Sequence, residues 1–409
     1  MKIQMILPLL SSILLLVCPA VGAQNVDPSG VEHQRVAFVT TAAHSAIFGN
    51  WPEASMGLSG LEAADSICVN RASAAGLLAP GDFVAWLSDS TDDAYCRIHG
   101  LNGKKIDNCG EPSLPESAGP WVRTDGLPWA KSVVDLTIDN EVYTTLRMDE
   151  NGDPVALNSL VWTGTSSLGF QTIGHCMDWT AAPIGENTAV GLVNRTGSYW
   201  SGNTTSLCTA PARHLYCLEK GAGPALNLQP ATSRAAFVTL EQNSSNLGVW
   251  PSATQGTQGI EAADSICNNY AAALNLEDAG SYKAWISDDN TNARDRFVND
   301  GPWFTPDGIP VAENLADLTD GEIIAPINQR FFSNHRVWTG TDEFGMRVMG
   351  ANCGGWTGAS GSGRAGLSDS ITVNWTNWGN TTCAVGGVGH LFCLSDGGPE
   401  YEYADGFEN

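Results

Sequence analysis

Cysteine and histidine are the residues of this chain with the most reactive side chains, and their spacing limits the chemistry they can support. The chain has eleven cysteines and seven histidines, but no C-x₂-C or H-x₃₋₅-H spacing of the kind that structural zinc sites use. Cys18 lies in an apolar N-terminal stretch, and the other ten cysteines can all pair with one another. The spacing therefore predicts disulfide bonds, no thiol nucleophile and no zinc site.

The remaining polar candidates do not form a catalytic pattern. His214 and His390 each stand three residues before a cysteine, where a hydrogen bond within a strand is favoured over a catalytic role near neutral pH. Asp89, Asp92 and Asp93 are interpreted as helix-start caps. The chain has no G-x-S-x-G, H-E-x-x-H or phosphate-binding glycine motif. We therefore predict a protein that is not an enzyme and has no cofactor.

One short segment has the alternating oxygen ligands of a calcium loop. Asp149, Asn151 and Asp153 alternate in "DENGDP" (residues 149–154). The bidentate glutamate of an EF-hand is missing at its expected spacing. A polar Asn-Gly turn is therefore the favoured interpretation, and no metal site is predicted.

Two long stretches rich in Gly, Ser, Thr and Asn carry aromatic side chains that could bind a ligand. An aromatic platform suits a sugar ring or a protein loop. The alternative is that these rings pack in the core, and this is favoured for tryptophans at matched positions, such as Trp200 and Trp375, each eight residues before a cysteine. Trp378 has no counterpart and is the stronger surface candidate. The candidate ligand-binding residues are Trp179, Tyr199, Trp200, Trp356, Trp375 and Trp378.

The chain contains the same motifs twice, which indicates a tandem duplication. "EAADSIC" occurs at 62–68 and 261–267, and "VWTGT" at 161–165 and 337–341. Each copy has the length of a domain and not of a solenoid repeat. The predicted organisation is a signal peptide (1–23), an N-terminal linker (24–34), domain 1 (35–221), a linker (222–233), domain 2 (234–397) and an acidic tail (398–409).

The pattern of each copy predicts one helix among many short strands. In "GLEAADSICVNRASAAGL", the residues Leu61, Ala64, Ile67, Cys68 and Ala72 recur at helical spacing. "RVAFVT", "FVAWLSDS" and "RHLYCLE" have the composition of strands, and Asp-Gly in "RTDGLP" is typical of a tight hairpin. This pattern predicts an α+β fold in which one main helix and long loops surround antiparallel strands.

The ends and the charge of the chain indicate export. A short basic start, the apolar run "MILPLLSSILLLVC" and small residues before Gln24 are typical of a cleaved signal peptide. Ten remaining cysteines fit an oxidising compartment. The net charge of −24 argues against nucleic acid and anionic surfaces as partners, because the sequence has no visible cluster of Lys and Arg. We expect a secreted, periplasmic or cell-surface protein without a transmembrane segment.

Spacing alone does not decide how the cysteines pair. Cys96 and Cys109 occur only in the first copy, so the simplest expectation is a bond between them. The other four cysteines of each copy occupy matched positions and allow three connectivities.

The ordered motifs "GIEAADSIC", "SYKAWISD", "VWTGTDEFGMRVMGANCGGW" and the final "HLFC" resemble the endostatin-type C-type-lectin-like domain. They are most similar to its bacterial relatives of unknown function, as in leptospiral endostatin-like proteins, and both copies are covered nearly end to end. The resemblance implies a C-type-lectin-like fold with nested disulfides. The implied bonds, with the Cys96–Cys109 bond expected above, are Cys68–Cys217, Cys96–Cys109, Cys176–Cys208, Cys267–Cys393 and Cys353–Cys383.

The resemblance implies ligand binding, but this chain departs from two known variants of the fold. Calcium-dependent lectins carry a W-N-D motif before the inner cysteine, whereas "WGNTTC" has Gly379 and Asn380 at the ligand positions. The heparin and zinc binding of animal endostatins does not carry over, because the chain is acidic and His33 and His44 have no equivalents in the second copy. We expect an exported, non-catalytic adhesion protein for an extracellular protein or matrix ligand. The alternatives are a calcium-independent carbohydrate-binding protein and, less favoured, a hydrolase.

Overall fold

The computed structural model describes residues 33–139, 142–172, 174–202, 204–327, 336–358, 360–383 and 389–397. The predicted signal peptide and the acidic tail lie outside these ranges. The chain is mixed α/β, with few helices and several sheets, which is compatible with the predicted α+β class. None of the helices in the described ranges is both long and apolar enough to span a bilayer.

The predicted helix is present in both halves of the chain, at Gly60–Ala74 and Gly259–Ala273. Its small side chains Ala63, Ala64 and Ala72 are buried together with Ile67 and Cys68, so the helix packs closely against the sheet. The shorter helical segments of the described chain are Phe48–Asn50, Pro80–Asp82, Ala94–Arg97, Lys105–Gly110, Asp135–Asp139, Cys176–Trp179, Gly197–Trp200, Leu247–Val249, Arg294–Arg296, Leu315–Leu318, Cys353–Trp356 and Val373–Trp375.

The first half builds one sheet of eight strands. Along its main path the order is β4-β3-β1-β8-β5-β6-β7, and β2 pairs with β8 off this path. Most pairs are antiparallel, as predicted, but β1–β3 and β5–β8 are parallel. The strands are β1 (Arg35–Val39), β2 (Phe83–Ala85), β3 (Trp121–Arg123), β4 (Pro128–Ala130), β5 (Leu160–Trp162), β6 (Asn187–Leu192), β7 (Thr204–Leu207) and β8 (His214–Glu219).

The second half repeats this strand order in three smaller sheets. They are β10-β16-β9, β11-β12 and β13-β14-β15, and single bridges at Ala235–Phe304 and Val337–His390 stand where the first half has parallel pairs. The strands are β9 (Ala236–Val238), β10 (Tyr282–Ala284), β11 (Trp303–Phe304), β12 (Pro310–Ala312), β13 (Arg336–Trp338), β14 (Ser362–Leu367), β15 (Gly379–Thr382) and β16 (Phe392–Ser395).

Five disulfide bonds cross-link the described chain. In each half one bond joins the long helix to the last strand, and a second closes the long loop that contains the candidate aromatic residues. The pairs are Cys68–Cys217, Cys96–Cys109, Cys176–Cys208, Cys267–Cys393 and Cys353–Cys383, which are the pairs named above.

The two halves meet through equivalent segments that follow β6 and β14. Gly191 pairs with Val161 and Gly366 with Val337, so Arg195 and Ser370 are equivalent positions, four residues after each glycine. These two residues form an antiparallel bridge with each other. Thr196 N donates to Asp369 O at 3.0 Å, and Ile371 N donates to Asn194 O at 3.4 Å. Equivalent residues of the two halves thus donate backbone hydrogen bonds to each other, so the contact has local two-fold symmetry.

An ion pair breaks this symmetry. Arg195 Nη2 lies 2.8 and 2.6 Å from the two carboxylate oxygens of Asp369, whose side chain is 0% exposed. The equivalent positions, Ser370 and Asn194, carry no charge. Two first halves would therefore place Arg195 against Arg195, whereas the unlike halves bring opposite charges together.

A double-mutant cycle on this pair should show strong coupling. We expect Arg195→Gln and Asp369→Asn each to lower the free energy of unfolding, with a coupling energy of about 2 kcal/mol, because each breaks the ion pair at a buried carboxylate. Urea unfolding of the wild type, both single variants and the double variant measures it. Additive losses would show that the pair does not hold the halves together.

Candidate functional site

The two histidines at matched positions bind the backbone of the neighbouring strand. His214 Nδ1 lies 2.6 Å from Thr40 O, and His390 Nδ1 lies 2.8 Å from Thr239 O. Each ring therefore fixes the chain just after the first strand of its half. Burial lowers the pKa of His214, which keeps the ring neutral and able to act as a hydrogen-bond donor to the carbonyl.

His99 is a further histidine whose ring binds the backbone. His99 Nδ1 lies 2.9 Å from Tyr95 O, and Nε2 accepts from Ala118 N at 3.3 Å. Burial lowers the pKa of His99 below its usual value. A proton on Nε2 would remove the bond from Ala118.

We expect the protein to lose stability as pH falls through about 6.5, the ordinary pKa of histidine. The unfolded chain takes up protons at His99 and His214 more readily than the folded chain, so acid favours unfolding. Urea unfolding at pH 7.5 and 5.5 measures the change. His99→Gln/His214→Gln should show a smaller difference between the two pH values. A wild type as stable at pH 5.5 as at pH 7.5 would contradict the expectation.

The acidic loop at 89–93 ties other loops together, and the interpretation of Asp89, Asp92 and Asp93 as helix caps was wrong, because none of these carboxylates makes a capping bond. Asp93 stands just before the helix Ala94–Arg97, but its carboxylate accepts from Lys105 N and Gln171 N, each at 2.8 Å. Asp89 Oδ1 accepts from Thr91 N and Asp92 N at 2.8 Å and so closes a turn. These oxygens are occupied by backbone donors.

The calcium-like segment "DENGDP" forms a turn. Asp149 is buried, and its Oδ1 accepts from Asn151 N at 2.7 Å and from Asp153 N at 3.1 Å. Its oxygens face the backbone of the turn itself. Throughout the described ranges, no three His, Cys, Asp or Glu side chains are grouped as metal ligands would be.

Four of the six candidate aromatic residues lie in the core, so the structure contradicts their assignment to a ligand platform. Trp179, Trp200, Trp356 and Trp375 are each at most 1% exposed. Trp200 packs 5.0 Å from Trp86, and the other rings make comparable contacts. They cannot touch a ligand at the surface.

An unusual backbone turn buries two of these rings. All four residues of Cys176–Trp179 have positive φ, and so do those of Cys353–Trp356, where two of the four are glycines. The turn directs Trp179 against Gly164, where an added Cβ would lie 2.6 Å from the ring. Trp356 packs in the same way against Gly340 in the second half. The glycine of "VWTGT" is therefore required, because the tryptophan ring leaves no room for a side chain there. The repetition of this glycine in both copies could have indicated a close packing partner.

Trp378 differs from every other tryptophan of the chain. All fourteen tryptophans lie in the described ranges; Trp378 is 42% exposed and the other thirteen are buried. It directly precedes β15, and the guanidinium of Arg336 lies 5.4 Å from the centre of its ring.

An arginine contacts the segment "WGNTTC" across a pair of strands. Arg364 on β14 pairs with Asn380 on β15, and its Nη1 lies 3.1 Å from Asn380 Oδ1. Arg364 Nε also donates to Asn377 Oδ1. The guanidinium of Arg364 therefore binds the side-chain oxygens of both Asn377 and Asn380.

An exposed apolar hairpin lies beside this arginine. Phe344 is 54% exposed, Met346 and Met349 are also exposed, and the neighbouring Glu343 accepts a hydrogen bond from Asn377 Nδ2. Asn377 precedes Trp378, so this bond joins the hairpin to the exposed ring. We call the combined area the Trp378 surface; it comprises Arg336, Phe344, Met346, Arg364, Trp378 and Asn380.

The first half has no copy of this surface. Its β6–β7 pair places Ala189 opposite Thr205, where the second half has Arg364 opposite Asn380. Tyr199, the sixth candidate, is half-buried beneath Arg195, whose guanidinium lies 4.2 Å from the ring centre. Tyr199 therefore lies where the two halves meet, apart from the exposed tryptophan.

Comparison with family models gives no match for this chain, and comparison with curated proteins gives none. The site is therefore interpreted from its own geometry. Sequence reasoning found Trp378 but missed Arg336 and Arg364, since neither belongs to a recognisable motif.

Proposed function

We propose that this chain is an exported, non-catalytic binding protein that recognises an extracellular protein or matrix ligand through the Trp378 surface. The observation that carries the proposal is the exposure of one indole among fourteen, beside arginine and apolar side chains. Trp and Arg dominate the energetics of protein interfaces, and Met and Phe are enriched there.

The architecture that we propose is two tandem C-type-lectin-like domains of the endostatin-like type. The repeated strand order, the helix bonded to the last strand in each half, and the closed long loop all support it. Export is supported by five disulfide bonds, which persist in oxidising compartments.

A calcium-independent carbohydrate-binding protein is the second candidate, and the exposed ring of Trp378 favours it. An indole face can stack on a sugar. The apolar side chains of Phe344 and Met346 fit a protein ligand better, because a sugar needs polar partners around the ring.

Binding arrays separate the two candidates. The mature protein is applied to immobilised laminin, collagen and fibronectin and to a glycan array, each with and without a chelator. We expect binding to at least one matrix protein that the chelator leaves unchanged. Binding to the glycan array alone would favour the carbohydrate candidate, and binding to neither would contradict both.

A further inference from the structure

Four arginines from distant parts of the second half converge on the Trp378 surface. Arg294 Nη1 donates to Phe344 O at 3.2 Å, and Arg347 follows Met346 in the same hairpin. Arg364 reaches the hairpin through Asn377 and Glu343, and Arg336 lies over Trp378. A chain with a net charge of −24 therefore places one guanidinium over its exposed indole and three more on or beside the adjoining hairpin and strands.

Arg364 carries an uncompensated charge. Seven other arginines of the described ranges pair with carboxylates, as Arg35 does with Glu219 and Arg97 with Asp65. Arg364 is held by two neutral amide oxygens, which fix its orientation without cancelling its charge. Among the described residues, no carboxylate lies within ion-pair distance of Arg294, Arg347 or Arg364.

The two acidic residues of the hairpin accept hydrogen bonds from neutral groups and keep their charges, so two carboxylates stand against the four arginines. Asp342 Oδ1 accepts from Phe344 N at 3.0 Å and from Met346 N at 2.8 Å. Glu343 accepts from the amide of Asn377. These bonds shape the hairpin. A guanidinium has five N–H donors, and the two amide oxygens that bind Arg364 leave some of its donors for other partners.

We propose that the Trp378 surface binds an acidic segment of a partner protein, with a carboxylate of that segment accepting hydrogen bonds from Arg364. Apolar side chains of the same segment pack on Trp378, Phe344 and Met346. This inference rests on the proposed function, because it names the chemistry of the ligand for the same surface. A planar guanidinium suits a carboxylate, and the apolar surroundings favour a polypeptide over a sulfated oligosaccharide.

The overall acidity of the chain does not prevent this binding. At physiological ionic strength the Debye length is about 8 Å, so distant carboxylates are screened and nearby charges decide the local potential. The sequence-based expectation that anionic partners are repelled depended on the absence of a basic cluster. That cluster exists only in the folded chain.

Collisional quenching of tryptophan fluorescence measures the potential at Trp378, the one exposed indole. The ratio of iodide to caesium quenching is divided by the same ratio for free N-acetyl-tryptophanamide, because caesium is the weaker quencher of any indole. We expect this corrected ratio to be at least about two for the full-length protein, since a local potential near kT enriches anions and depletes cations. Arg364→Gln should lower this ratio, and Trp378→Phe should remove the quenchable emission. Arg213→Gln, which makes the same change of charge in the first half, should leave the ratio unchanged. A corrected ratio of one or less in the wild type would overturn the proposal.

Selection from a random peptide library tests the occupant directly. We expect the wild type to select peptides that combine Asp or Glu with apolar residues. Replacing those acids with their amides should weaken binding about tenfold, and Arg364→Gln should weaken it to a similar degree. Equal affinity for the acidic and amide peptides, with Trp378→Ala still weakening both, would keep the binding surface but overturn the acidic ligand. Arg364-dependent binding of a sulfated oligosaccharide alone would also overturn it.

Discussion

Cys68→Ala/Cys217→Ala should lower the free energy of unfolding by about 5 kcal/mol. The bond spans 149 residues and joins the long helix to β8, so its removal frees nearly the whole first half in the unfolded state. By the same chain-entropy estimate, the bond between Cys96 and Cys109, which spans 13 residues, contributes about 3 kcal/mol. Denaturant unfolding of both double variants measures the difference.

The short-loop variant, Cys96→Ala/Cys109→Ala, is the matched control. Both pairs are buried, so the two double variants remove similar contacts and differ mainly in loop length. Equal losses in the two variants would show that the long bond acts through local packing. The helix would then not be fastened to the last strand in the way the sequence motif suggests.

Trp200→Ala should cost about 3–5 kcal/mol, the usual range for removing a large aromatic side chain from a core. The ring is 1% exposed and lies 5.3 Å from Trp129 as well as next to Trp86. A cavity of this size cannot be filled by small shifts of neighbouring rings. Denaturant unfolding measures the loss.

Trp378→Ala is the matched control for this prediction, because it removes the same side chain from an exposed position. We expect it to change the free energy of unfolding by less than about 0.5 kcal/mol. A small effect of Trp200→Ala would mean that the ring is accessible in solution, which would restore it as a candidate ligand contact.

The local elements of this fold could be predicted from the sequence. The helix at 60–74, β1 and the Asp-Gly hairpin each follow from periodicity or turn composition within a few residues. The disulfide pairs could not be derived in this way, because four cysteines per copy allow three connectivities. Only the resemblance to a known fold selected one of these three connectivities.

The candidate site could be predicted only in part, for a physical reason. Matched positions in the two copies favoured the core for Trp200 and the surface for Trp378, but the side chains that pack against each ring lie far away in sequence and could not be predicted. The pairing of Trp179 with Gly164 across the long loop shows such packing. Arg336 reaches Trp378, and Arg364 reaches Asn380, only after β13, β14 and β15 have paired.

Comparing two single variants tests most directly where the ligand binds. The affinities of Trp378→Ala and Tyr199→Ala are measured for one matrix protein, namely the one among laminin, collagen and fibronectin that the wild type binds most tightly. The account predicts at least a tenfold loss of affinity for Trp378→Ala and less than about a twofold loss for Tyr199→Ala, as expected for a hot spot and a residue outside the interface. Unchanged affinity in Trp378→Ala, or a larger loss in Tyr199→Ala, would contradict it.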